Sequence, residues 1–92
     1  MKIVDLKISD LKPYEKNARK HPQKQIDVLA ENIKRFGFTT PVLVSEDNEV
    51  IAGHGRLLAL KQLGKEDVPC VRMEGLTDEE IKALRLADNQ IA

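Results

Sequence analysis

The stretch Val50-Ile51-Ala52-Gly53-His54-Gly55-Arg56-Leu57-Leu58-Ala59-Leu60-Lys61-Gln62-Leu63-Gly64 decides how this chain is read. The apolar triplet reads as a short strand and Leu57–Leu63 as a helical run that stops at Gly64. Between them lies a glycine-rich turn. Such a turn at a helix N-terminus presents free N–H groups and the positive end of the helix dipole, and glycine lets a ligand approach the backbone. Arg56 adds a permanent charge with a planar fork of donors that fits phosphate. Two readings stay open on these residues alone: a phosphate cradle, or a tight turn followed by a surface-facing arginine.

Working outward, residues 2–8 alternate in polarity as a strand, and residues 9–24 read as an irregular segment carrying Pro13 and Pro22. Residues 25–36 place Ile26, Leu29, Ala30, Ile33 and Phe36 on one helical face, and Gly37 ends that helix. Pro41-Val42-Leu43-Val44 is a strand that returns through a turn at Glu46-Asp47-Asn48 into residues 49–52, giving a hairpin. Residues 68–73 form a further strand, with Pro69 expected to put it at a sheet edge or at its own first residue. Thr77-Asp78-Glu79-Glu80 is a capping box, and Ile81, Leu84, Ala87 and Ile91 mark the face of the helix that follows. The expected fold class is α+β: one domain over residues 1–92, a small mixed sheet and about three packed helices.

The chain has 92 residues, so it forms one small core, and with Tyr14, Phe36 and Phe38 as its aromatics that core is aliphatic. A lone Cys70 on an apolar strand reads as a buried small hydrophobe and fits a reducing, cytoplasmic setting. No long apolar run predicts a membrane span. The 15 Lys/Arg balance the 15 Asp/Glu, which argues against a dominant nucleic-acid surface. The basic residues nevertheless crowd early: Lys12, Lys16, Arg19, Lys20 and Lys24 stand against Glu15 alone, with His21 among them. That segment is either a solvated loop or one wall of a polyanion pocket.

Other polar residues have two readings each. Asn17 and Arg19 are loop chemistry, or they form a second wall of the anion site. Asp88-Asn89-Gln90 is the solvated end of a helix, or Asp88 and Asn89 supply hard oxygen ligands to Mg²⁺ beside a phosphate. His54 is a spacer in a turn, a phosphate donor, a ring that stacks on a base, or a proton-transfer group. His21, His54 and Cys70 do not fall at zinc-ligand spacing.

Taken together, Asn17-Ala18-Arg19, Leu29-Ala30-Glu31-Asn32-Ile33 with Gly37, Pro41-Val42-Leu43-Val44, Glu49 through Arg56, Leu63-Gly64, Val68-Pro69 and Ala87-Asp88-Asn89 carry a resemblance over nearly the whole chain. In order and spacing they are similar to the ParB N-terminal domain superfamily, which includes sulfiredoxin and is often described as a ParB-like nuclease domain. The resemblance implies a ParB/sulfiredoxin-like fold and binding of a nucleoside triphosphate, CTP or ATP, with Mg²⁺. Gly53, His54, Gly55, Arg56, Asn17 and Arg19 would be on the phosphates, and Asp88 and Asn89 on the metal. It also implies DNA association through a downstream domain, and a homodimer as an assembly.

The departures are specific. Partition proteins usually carry Glu-Arg-Arg after the first glycine of the box, where this chain has His54-Gly55-Arg56. Sulfiredoxin has its catalytic cysteine where His54 stands. The box and the Ala-Asp-Asn ending look closest to phage and mobile-element forms, which often precede a DNA methyltransferase domain, so a longer parent protein is expected. The functional alternatives are a ParB-like nuclease or weak NTPase using His54 and Asp88 catalytically, and a non-catalytic DNA-binding or protein-interaction module.

Overall fold

A computed structural model describes residues 2–14, 21–38 and 40–91 of the chain, with side chains through Asp88. In chain order the elements are β1 (Ile3–Lys7), a 3₁₀ turn (Ile8–Asp10), α1 (Gln23–Phe36), β2 (Val42–Val44), β3 (Val50–Ala52), α2 (His54–Gln62), β4 (Asp67–Arg72) and α3 (Asp78–Ile91). The fold is α+β. The four strands form one mixed sheet in the order β1-β4-β2-β3. β4 runs antiparallel to β1 and parallel to β2, and β2 and β3 form the antiparallel hairpin.

Strand periodicity decides what the sheet buries. In β1, Val4 and Leu6 point inward while Ile3, Asp5 and Lys7 face out. Val42, Val44, Val50, Val68 and Cys70 share one core with Ile8, Leu11 and the α2 residues Leu57 and Leu60. Full burial of each of these leucines contributes about 2 kcal/mol. The other side of α2 meets α1, where Ala59 packs against Ile26 and Ala30. Helix α2 therefore lies between the sheet and α1, which explains why its residues are apolar around most of its circumference. Burial raises the Cys70 thiol pKa to about 11, as a small hydrophobe would show.

The free edge of β3 is covered. The segment after the 3₁₀ turn runs alongside it: Lys12 donates to the Asn48 carbonyl, and Val50 donates to the Lys12 carbonyl, both at 2.9 Å. In the hairpin turn Asn48 takes a left-handed conformation, and Ser45 Oγ accepts from the Asp47 and Glu49 amides.

Three expectations are corrected. β4 is central, so Pro69 is not on an edge strand. Pairing of β4 with β2 begins only at Val42–Cys70, one residue later, so a residue without an N–H is accommodated where only β1 is paired. Phe36 does not join the α1 core face; it is 66 % exposed, with the Arg35 guanidinium 5.1 Å from its ring centre. On α3, Ala87 is exposed, and the half-buried positions are Ile81, Leu84, Arg85 and Asp88. Two polar residues take inward places there because each has a partner on or beside β3. The capping box forms as read: Thr77 N–H donates to Glu80 Oε1 (2.9 Å) and Glu80 N–H to Thr77 Oγ1 (3.2 Å).

Candidate functional site

The Gly53-His54-Gly55-Arg56 box is itself the first turn of α2. Gly53 is the N-cap residue in a left-handed conformation (φ 99°), and the first intrahelical bond runs from the Leu57 amide to the Gly53 carbonyl at 2.9 Å. The amides of His54, Gly55 and Arg56 thus precede the helical ladder and have no partner within it. A side chain at Gly53 would be strained by the backbone and would also meet Arg56 Nη2 at 2.9 Å and Val42 Cγ2 at 3.1 Å. Gly53→Ala is expected to cost about 2 kcal/mol and to displace the Arg56 guanidinium. Gly64→Ala is the control: it has the same sign of φ (75°) and open space around it, so it should cost only about 1 kcal/mol. Chemical denaturation of the two variants checks the difference.

A cavity of about 160 Å³ opens over this turn, lined by His21, Gln25, Leu29, Gly53, His54, Gly55, Arg56 and Asp88. Three parts of the chain converge there: the stretch from His21 through the first half of α1, the start of α2 and the end of α3. Asp88 Oδ2 accepts from the Gly53 amide at 3.4 Å. Arg56 is half-buried and donates through Nη2 to the Pro41 carbonyl at 3.3 Å, so it is not the surface-facing side chain of the tight-turn reading. Burial lowers its pKa and the Asp88 carboxylate opposes that shift, leaving the guanidinium charged at neutral pH. Its Nε is buried without a partner.

His54 is 2 % exposed. Its Nε2 accepts from the Tyr14 amide at 3.2 Å, and its Nδ1 is buried with no partner among the described residues. The His21 ring lies nearly parallel to it, with centroids 6.5 Å apart, and His21 Nδ1 is 3.3 Å from Gln25 Oε1. Burial is the main cause that pulls the His54 pKa down to about 4; His21 and Arg85 add to the fall, while Asp88 and Glu49 oppose it.

A histidine with a lowered folded pKa takes up its proton on unfolding. Its contribution is therefore fully present above about pH 6.5 and is lost as pH falls toward about 4. In that window stability should fall by as much as about 1.4 kcal/mol per pH unit. Urea melts at pH 7 and pH 5 check this, and coincident curves would contradict it.

A second polar cluster supports the first. Arg85 on α3 bonds Glu49 Oε1 at 2.7 Å and the Val50 carbonyl at 3.1 Å, and its guanidinium sits 3.8 Å from the centre of the Tyr14 ring. Glu49 is thereby committed to an ion pair.

Of the residues expected at the site, the structure brings together Gly53, His54, Gly55, Arg56 and Asp88. Asn17, Arg19 and the Asn89 side chain lie outside the described residues. His21, Gln25, Tyr14 and Arg85 were not on the expected roster. Arg85 carried a usable signal, since it precedes Asp88 by three positions on one helical face. His21 was noted only for its place among basic residues, and nothing local marks Gln25 or the Tyr14 amide.

The ParB N-terminal domain family matches residues 1–90. The ParB-like nuclease domain-containing protein YnaK of Escherichia coli K12 is 48% identical over 80 residues, which is 87% of this chain and 92% of YnaK. A probable chromosome-partitioning protein ParB of Campylobacter jejuni is 32% identical over 88 residues, covering 91% of this chain and 31% of that protein. The chain thus spans less than a third of that relative's length.

Among solved structures, C-terminally truncated ParB from Caulobacter crescentus complexed with CTP-γ-S has a TM-score of 0.84 at 20% identity, covering 100% of this chain and 54% of its own. Sulfiredoxin from Arabidopsis thaliana scores 0.75 at 22% identity, covering 91% and 97%. A free serine kinase in complex with AMP scores 0.66 at 26% identity, covering 83% and 32%. With the fold, the glycine–arginine turn and the match over residues 1–90 in agreement, the chain belongs to the ParB N-terminal domain family.

Proposed function

We propose that this domain binds a nucleoside triphosphate, CTP or ATP, with its phosphates over the first turn of α2. The observation that carries the reading is a convergence of donors. The first-turn amides, the half-buried Arg56 and a buried, unpartnered His54 nitrogen all belong to residues that line one cavity. Buried polar atoms without partners are costly, and an anion rich in acceptors would satisfy them. A cavity of about 160 Å³ suits phosphate groups rather than a whole nucleotide. A second groove of about 460 Å³ shares Leu29 and Arg56 with it and runs past Ile33, Phe38 and Thr40, giving room for ribose and base. The nucleotides in the ParB and serine kinase complexes lend the reading further support.

Asp88 is the one carboxylate among the described residues lining the cavity. A closed protein cage for a metal is not assembled among the described residues, so Mg²⁺ fits only as an ion carried in on the phosphates. Asp88, and Asn89 as expected from the sequence, would then be its protein ligands. Bound there, Mg²⁺ would offset repulsion between Asp88 and the phosphates. Asn17 and Arg19 belong to this reading as a further basic wall. DNA association and dimerisation belong to it as properties of a longer polypeptide working in the cytoplasm. In the described part, no helix is long and apolar enough to cross a membrane.

The name of YnaK suggests nuclease activity as a second reading. It would need Asp88 or Glu49 as base or metal ligand and His54 to move a proton, yet His54 Nε2 is already occupied by the Tyr14 amide and Glu49 by Arg85. Binding is therefore the better-supported function. Isothermal titration with CTP, ATP and GTP, each with Mg²⁺, should give saturable heat with at least one of them, along with a higher melting temperature. Absence of heat with all three would overturn the assignment.

A further inference from the structure

We infer that His54 is a neutral hydrogen-bond donor with its proton fixed on Nδ1, and that this N–H recognises an acceptor oxygen of the bound ligand. The proposal rests on the phosphate-site reading above and deepens it. A neutral imidazole has one donor nitrogen and one acceptor nitrogen. A backbone amide can only donate, so the Tyr14 N–H at 3.2 Å makes Nε2 the acceptor and leaves the proton on Nδ1. That Nδ1 is buried, has no partner among the described residues, and belongs to a side chain lining the cavity. An unmet buried donor beside a cavity is a site prepared for an acceptor.

The surroundings keep the ring uncharged. His21, from the segment before α1, stacks on it at 6.5 Å, so charging both rings is unfavourable. Arg85 on α3 and Arg56 on α2 are permanent cations nearby. Asp88 on α3 and Glu49 beside β3 act in the opposite sense, but Glu49 is paired with Arg85 and Asp88 faces both Arg56 and the Gly53 amide. A solvated histidine at a phosphate would contribute as an imidazolium and fade above neutral pH; His54 contributes as a directed N–H of a neutral ring on both sides of neutral pH. Tyr14 is thus a positioning residue, acting through its backbone.

Long-range ¹⁵N–¹H correlation spectra of the free protein test this without any ligand. The expected pattern for His54 is a protonated Nδ1 and a bare Nε2, unchanged from pH 6 to pH 8. A protonated Nε2, or a titration with a midpoint near 6.5, would overturn the inference. With CTP or ATP and Mg²⁺ at pH 7.5, the Nδ1–H resonance should shift on saturation; an unmoved resonance in the saturated complex would also overturn it.

Two variants separate the ring nitrogens. His54→Asn places an amide donor where Nδ1 stood, and His54→Gln replaces the Nε2 end instead. His54→Asn should bind within about 3-fold of the parent and His54→Gln about 10-fold more weakly. Equal losses in two variants that both fold would remove the donor role. Failure of every triphosphate to bind would sink the nucleotide reading, whereas the tautomer in the free protein decides the state of His54 by itself.

Discussion

Replacing Arg56 with alanine is expected to weaken triphosphate binding by about 100-fold, or about 2.7 kcal/mol, while the domain stays folded. The loss is large because, among the described residues lining the cavity over the α2 turn, Arg56 is the one basic side chain whose charge does not depend on pH. Its Nε is buried and has no partner among the described residues, so a phosphate oxygen gains a donor that water does not satisfy. The effect on stability should be small. Arg56 makes a single long bond, 3.3 Å, to the Pro41 carbonyl, and losing it should cost about 1 kcal/mol, or about 5 °C in melting temperature for a domain of this size. Removal also relieves a charge that burial disfavours. Arg56→Lys should recover only part of the affinity, since an ammonium lacks the planar fork. Calorimetric titration and thermal melts of the same preparations separate the two effects. An Arg56→Ala protein that is unfolded would make the residue structural and remove the site assignment.

The second large effect concerns stability. Arg85→Ala should destabilise the domain by about 2–3 kcal/mol and loosen α3 in particular. No described residue of α3 is fully buried, so apolar burial contributes little to its attachment. Arg85, with its side chain 11% exposed, holds α3 to three groups at once: Glu49, the Val50 carbonyl and the Tyr14 ring. Glu49 is 44% exposed, so solvent screens the ion pair and its share is about 0.5–1 kcal/mol. The carbonyl bond contributes about 1 kcal/mol and the ring contact about 0.5–1 kcal/mol. Glu49→Gln should therefore cost under about 1 kcal/mol, much less than Arg85→Ala. Hydrogen exchange offers the sharper readout: amides of α3 should lose protection in Arg85→Ala while those of β4 keep theirs. Unchanged α3 protection would show that Ile81 and Leu84 suffice as anchors. Ligand affinity should fall with the anchor, because Asp88 reaches the site from the same helix face.

These two arginines show how far sequence reading goes. Arg56 was conspicuous because its chemistry is local: a glycine turn, a helix start and a cation within four residues. Arg85 was not, although the stability of the site depends on it, because its three partners come from residues 14, 49 and 50. His54 stands out in the sequence and is still underdetermined by it. Whether it is charged, which nitrogen holds the proton and what it can donate follow from the Tyr14 amide forty residues earlier and from burial. The same limit explains the corrected faces. Ala87 fits an apolar stripe on α3, but Asp88 and Arg85 turn inward because β3 and its flanking residues offer them partners.

Element types, the capping box at Thr77–Glu80, the hairpin turn and the helix opening at Gly53 are legible in the chain, because they depend on side-chain period and backbone sterics over a few residues. The aliphatic core and the balanced charge are equally composition-level facts. Strand order is different. Nothing near Pro69 announces that β4 lies at the centre of the sheet, or that pairing with β2 starts one residue after the proline. The cavity, the orphaned donors and the neutral histidine are likewise products of folding. They arise from desolvation and from distances between residues far apart in the chain, and those quantities exist only once the chain has packed.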